Sequence, residues 1–130
     1  MDGTQVRPLA GPFFNMEKYK GAIVEESLED NRILNDFKVS SISVTKEDNP
    51  EERWHICNVE ATKKQIENLS KNIKPSKWYA HFWNSNKDVI AIFRGKIFYF
   101  NYNDKKSWNP AIKYGRSIGI PREQLDFIID

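Results

Sequence analysis

The sequence predicts an α+β domain, a mostly antiparallel sheet with its elements in the order βββαβββα and its helices packed on one face. Three observations carry this. Six runs rich in β-branched and aromatic residues fall into two groups of three, joined by short polar loops, which is the pattern of antiparallel strands. Each group is followed by a stretch with helical spacing. The chain has 130 residues, 39% apolar and 29% charged, enough to bury one self-sufficient core.

Taken in order, "KYKGAIVEESL" (Lys18 to Leu28) reads as the first strand, and "EDNR" after it is turn chemistry. "FKVSSISVTK" (Phe37 to Lys46) is the second. Its apolar phase passes from Phe37 and Val39 to Ile42 and Val44, a one-residue switch that predicts a β-bulge near Ser40 and Ser41. The polar loop "EDNPEE" leads to the third strand, Arg53 to Ala61. Thr62 and Gln65 then fit a capping box, with Ile66, Leu69 and Ile73 along one helix face and Lys74–Pro75 as the stop.

Three more strands follow: Lys77 to Asn84, Asp88 to Phe93, and Lys96 to Tyr102. Arg94–Gly95 joins the last two, with Gly95 supplying a positive φ. A second helix starts at Asp104 or Ser107 and runs through Trp108, Ala111, Ile112 and Tyr114. Gly115 is a weak point within it, and Gly119 with Pro121 is its stop. Pro121 can open one further helical turn.

Residues 1–15 carry Gly3, Pro8, Gly11 and Pro12 without periodicity and read as a disordered extension, with Met16 as a natural start and residues 16–130 as a single domain. The N-terminus lacks the layout of a secretory signal. No stretch approaches the roughly 18 apolar residues of a membrane span. Cys57, the only cysteine, excludes an internal disulfide and a paired-cysteine zinc site; in its strand-like run it reads as an inert small hydrophobe, suited to a reducing cytoplasm. Net charge is +2, yet residues 1–52 carry −5 and residues 53–130 carry +7. The two halves either complement each other on packing or leave a polyanion-binding half.

The stretch Lys77–Tyr102 holds nine aromatic rings in 26 positions. In its first strand Trp78, Ala80 and Phe82 share one face, while Tyr79, His81 and Trp83, each with a polar handle, share the other. Both phases of the next two strands are apolar. The sheet is therefore covered on both faces, or one face is an exposed aromatic patch that marks a binding site. Rings beside Lys and Arg suit single-stranded nucleic acid. However, "RGKIFYFN" departs from the RNA-recognition signature at Lys96, Ile97, Tyr99 and Asn101.

No nucleophile elbow, phosphate loop or metal-ligand spacing is present, so no catalytic residue, metal or cofactor is assigned. Glu25 and Glu26 are adjacent and would face opposite ways on a strand unless they lie in a turn. The histidines, His55 and His81, fall on different strands.

"YKGAIVEESL", "KWYAHF", "IFRGKIFYF" and "KYGRSIGIPREQLDF" together resemble a family of small uncharacterised prokaryotic proteins with YKG…EESL, WYA.F, IFR.K.F and YG…GIP..Q.DF motifs. The resemblance spans Lys18 to Phe127 and implies one compact domain; it implies no catalytic residues. The motif residues Glu25, Glu26, Arg94, Gln124 and Asp126 read as caps and turns, or as one recognition rim.

These observations lead to a non-enzymatic module for a protein partner or small ligand, with Tyr79, His81, Trp83, Arg94 and Glu26 as ligand-binding residues and a homodimer through a sheet face or edge as one form. A first alternative is a nucleic-acid module in which Lys77, Lys87, Arg94 and Lys96 line one surface with exposed Tyr79 and Trp83. A second is an acid–base enzyme, which needs His81 or His55 within reach of a carboxylate inside a cleft.

Overall fold

The computed structural model describes residues 17–129, and the extension expected over residues 1–15 lies outside the described residues. Six strands form one antiparallel sheet: β1 (Lys18–Val24), β2 (Lys38–Val44), β3 (His55–Thr62), β4 (Ala80–Trp83), β5 (Asp88–Phe93) and β6 (Lys96–Asn101). Two α-helices accompany it, α1 (Lys63–Leu69) and α2 (Asn109–Ser117). The α+β class, the antiparallel sheet and the βββαβββα order all hold. Across the sheet the strands run β2-β3-β1-β4-β5-β6, so β1 lies between β3 and β4 and is antiparallel to both. The crossover from β3 to β4 carries α1.

Local chemistry explains most element boundaries. Thr62 accepts from the Gln65 amide at 3.3 Å while the Gln65 side chain accepts from the Thr62 amide at 2.8 Å, completing the expected capping box. The β2–β3 register shifts between Val39 and Ser41, which is the expected bulge. Gly95 turns the β5–β6 hairpin at φ 69°. The first strand is shorter than expected because Glu25–Ser27 forms a 3-10 turn that the Ser27 hydroxyl secures by donating to the Val24 carbonyl at 2.6 Å.

The helices do not share one face, which corrects the expectation. Ile66 and Leu69 of α1 pack with Tyr19, Ile23, Val59, Phe82, Ile90 and Ile92. Trp108 and Ala111, at the start of α2, pack with Val89, Ala91, Phe93 and Phe100 on the opposite face. The cause is β5: its side chains alternate between the faces and are apolar on both, so each face needs a cover. The C-terminal segment completes the second cover with Leu125 and Phe127, both fully buried. Gly115 is the seat of Leu125, since a Cβ there would lie 2.8 Å from Leu125 Cδ2.

Among the described residues, cover on the α2 face stops at β4. Over β1, β3 and β2 the same face presents Lys20, Asn58, Glu60, Ser41 and Ser43, none of them buried. The sheet is thus two-sided at β4–β6 and one-sided at β2–β3. No helix is long and apolar enough to cross a membrane, among the described residues.

Candidate functional site

The uncovered half of the α2 face holds an open groove of about 490 Å³, lined by Lys20, Ser40, Ser41, Asn58, Glu60 and Trp83. A second hollow of about 250 Å³ adjoins it and shares Lys20, Glu60 and Trp83, adding Lys18, Ser85 and Lys87. Four strands build this floor. The bulge in β2 sets two consecutive serines beside one neighbour: the Ser40 hydroxyl donates to the Asn58 carbonyl at 3.1 Å, and the Asn58 side-chain amide donates to Ser41 Oγ at 3.0 Å. A regular strand would have pointed those serines to opposite faces. Lys20 and Trp83 enter as a directly paired couple on β1 and β4.

Trp83 is the wall common to both hollows. It is half-buried and backed by the His81 ring at 5.5 Å. His81 and Tyr79 themselves lie under the C-terminal segment. His81 Nε2 donates to the Ile128 carbonyl at 2.7 Å, and the Tyr79 hydroxyl donates to the Gln124 carbonyl. Phe127 stands edge-on to both rings, 5.7 Å from each. Burial pushes the Tyr79 phenol up to about 12 and holds His81 below its ordinary value of 6.5. Of the expected row, only Trp83 reaches the groove.

The other expected ligand-binding residues sit elsewhere. Arg94 donates to the Glu29 carboxylate and, at 3.0 Å, to the Ile73 carbonyl, tying the β5–β6 hairpin to the end of the α1 region. Glu26 belongs to a cluster at the far end of β1. The 3-10 turn brings Glu25 and Glu26 to the same neighbour, meeting the condition set by their adjacency. Glu26 accepts from the His55 ring at 2.7 Å and from the His55 amide at 2.8 Å, and Glu25 lies 3.8 Å from the ring. Ligand atoms of Glu25, Glu26 and His55 all fall within 4.8 Å of one another. That spacing suits one divalent cation, but Glu26 and His55 already satisfy each other, Glu25 accepts from the Asn31 side chain at 2.7 Å, and the group is outside both hollows of the groove. Cys57 is buried, and burial raises its thiol pKa, which disfavours the reactive thiolate.

Burial alone would raise the Glu26 carboxyl, yet the hydrogen bonds from His55 outweigh it and the pKa lies below the ordinary 4.5. The same side-chain hydrogen bond raises His55 above its ordinary 6.5. His55 therefore contributes stability that is fully present below pH 6.5 and lost as pH rises through its folded value. Glu26 contributes stability present above pH 4.5 and lost as pH falls through its own. Between these the pair is at its strongest. In Glu26→Gln, the His55 ring is expected to titrate at lower pH, measured by NMR on its ring protons; an unchanged midpoint would show that the contact is absent in solution.

The four basic residues assigned to nucleic acid do not line one surface. Lys87 ends the β4–β5 turn, whereas Arg94 and Lys96 lie at the opposite end of β5, in its hairpin with β6. Lys77 lies against Gly119, beside the start of β4. Lys96 stands 5.9 Å over the Tyr114 ring.

No family model, curated protein or solved structure matches this chain. The chemistry of the groove is therefore read from its own residues.

Sequence reasoning singled out Trp83 and missed Lys18, Lys20, Ser40, Ser41, Asn58 and Glu60. The bulge was the available signal: it implied that two serines would meet one partner strand. It did not say which strand, nor that the strand beyond would be β1.

Proposed function

We propose that the protein is a non-enzymatic binding module that takes a small ligand in the groove over β2, β3, β1 and β4. The observation that carries this reading is the partial cover of the α2 face, which ends at a half-buried tryptophan and leaves a concave, polar-floored groove of about 490 Å³ beside it. That volume falls in the range of roughly 300–1,000 Å³ common for small-molecule sites. The groove floor is sheet, and its two serines are held by hydrogen bonds with Asn58. Neither histidine meets the geometry of an acid–base enzyme. His81 faces a carbonyl under the C-terminal segment, and His55 has its carboxylate at an exposed strand end. The motif kinship with small prokaryotic proteins and a place in the reducing cytoplasm, where buried Cys57 stays a thiol, belong to the same proposal.

The test is an amide NMR titration of the labelled chain with a set of neutral and charged ring fragments. Shifts are expected to cluster on Lys20, Ser41, Asn58 and the Trp83 indole, and to disappear in Trp83→Ala. A fragment set that leaves all of these resonances unmoved would sink the reading.

A second reading, engagement of a protein partner, has its own observation. β2 is an edge strand with all seven residues exposed, including Val39, Ile42 and Val44 at 37%, 61% and 48%. Lys38 is its only charged residue, so little besides the bulge guards it against pairing with another strand. If the edge joins a second copy, sedimentation of the wild type will show a dimer that Ile42→Lys converts to monomer. A monomer at every concentration would exclude self-pairing.

A further inference from the structure

The cations around Trp83 narrow the chemistry of the ligand, and this step rests on the groove being the binding site. Lys18, Lys20 and Lys87 line the hollow on one side of the indole, and none of them has an ion-pair partner among the described residues. Three carboxylates lie nearby, and two of them, Glu17 and Asp88, meet at Asn84 on the rim of the hollow. Glu60 pairs with Lys38 at 3.5 Å, Glu17 accepts from Asn84 at 2.7 Å, and Asp88 accepts from Asn101 at 3.0 Å. Among the described residues, Glu60 is the one acid that lines the two hollows, beside three lysines, and its charge is met by Lys38.

The loop that presents Lys87 is held in advance. Asn84, buried at 5% exposure, accepts from the amides of Asn86 at 3.0 Å and Asp88 at 2.9 Å, and its own carbonyl takes the Lys87 amide at 3.0 Å. The Tyr102 amide donates to the Lys87 carbonyl at 2.8 Å, fixing the far side of the turn. Lys87 itself adopts φ 65°, the left-handed region that a lysine enters only when its surroundings impose it. A cation whose backbone is fixed loses less freedom on meeting an anion than one on a mobile loop.

We infer that the ligand is a small anion carrying a flat ring, of mononucleotide size. Its ring lies against the Trp83 indole, and its phosphate or carboxylate lies between Lys20 and Lys87, with Lys18 adding to the field. The serine hydroxyls and Asn58, across the groove, supply hydrogen bonds to polar substituents of the ring or sugar. A flat ring gains from stacking on Trp83, and the acid group gains charge-assisted hydrogen bonds from the ammonium groups.

The test titrates the full chain with adenosine 5′-monophosphate, adenosine and inorganic phosphate, read by the amides of Lys20, Asn58 and Lys87 and by the Trp83 indole. The monophosphate is expected to bind at least about tenfold more tightly than either of the other two probes. Lys20→Gln combined with Lys87→Gln should weaken the monophosphate about tenfold and leave adenosine unchanged; both sites are exposed, and an amide spectrum unchanged outside the groove checks that the fold is retained. Adenosine binding as tightly as its monophosphate would overturn the anion and leave the groove reading standing, as would neutral fragments that shift the groove while the monophosphate does not. Free phosphate binding as tightly as the monophosphate would overturn the ring. A ten-nucleotide single strand binding more than about tenfold tighter than the monomer would overturn the small ligand in favour of nucleic acid. If no fragment or anion moves these resonances, the groove reading falls as well.

Discussion

Gly21→Ala is expected to destabilise the protein by about 3 kcal/mol, seen as a large fall in the urea midpoint. Gly21 sits in β1, paired with Val59 on one side and Phe82 on the other. A Cβ there would lie 2.2 Å from Phe82 Cδ2 and 2.8 Å from the His81 carbonyl oxygen. The ring cannot swing away, because Phe82 is fully buried in the α1-side core, and the carbonyl belongs to the sheet backbone. An aromatic ring laid over a strand glycine is how the sheet fills the space that the missing side chain leaves. Gly95→Ala is the informative contrast. Nothing lies within 4 Å of its Cβ, so its cost comes only from φ 69° and should be about 1 kcal/mol. A Gly21→Ala protein within about 0.5 kcal/mol of wild type would mean that β4 does not lie against β1 as described.

Phe127→Ala is expected to cost about 3–5 kcal/mol, the range for removing a fully buried phenylalanine. Its ring lies 5.0 Å from Phe100, 5.4 Å from Trp108 and 5.7 Å from both Tyr79 and His81, so one side chain fastens the C-terminal segment to β6, to the turn before α2 and to β4. The loss should also change a titration. His81 is partly desolvated under the C-terminal segment and its pKa lies below 6.5, so the unfolded chain binds the proton more readily than the folded one. Wild-type stability therefore falls as pH drops through 6.5 towards the folded value, and His81 contributes nothing to that slope above it. With the segment released, His81 meets water, its pKa returns towards 6.5 and the slope flattens. NMR titration of the His81 ring, with urea melts at about pH 7.5 and about pH 5.5, reads both effects. If His81 titrates at the same pH in the variant, the segment is not what buries it.

The outcome at Phe127 bears on function, because the segment it holds sets the limit of the groove. Were it displaced, Tyr79 and His81 would join Trp83 on an open face, and the aromatic row expected from the sequence would exist. In the folded chain that row is divided: two half-buried rings lie under the C-terminal segment and the third reaches the groove.

Particular residues show what could be read in advance. Thr62 and Gln65 announced α1 because a capping box is satisfied within four residues. Ser40 and Ser41 announced the bulge because a phase switch in a strand has no other simple cause. The β5 limits and the Gly95 turn followed from alternation and from a left-handed φ that glycine tolerates. Glu25 and Glu26 were legible only conditionally. Whether they face apart or together depended on where β1 ended, and a three-residue 3-10 turn decided it.

By itself, then, the sequence determined the elements, their order, the antiparallel class and the double-sided apolar character of β5, since each is encoded by periodicity, caps and turn residues within a few positions. Only the tertiary structure decided that β1 inserts between β3 and β4, that the two helices take opposite faces, and that the cover over the α2 face ends, among the described residues, at Trp83. Those choices join Lys20, Ser41, Asn58 and Trp83 from four strands. They depend on which strand edges pair and how far a short helix and tail can reach, and no local pattern along the chain records either.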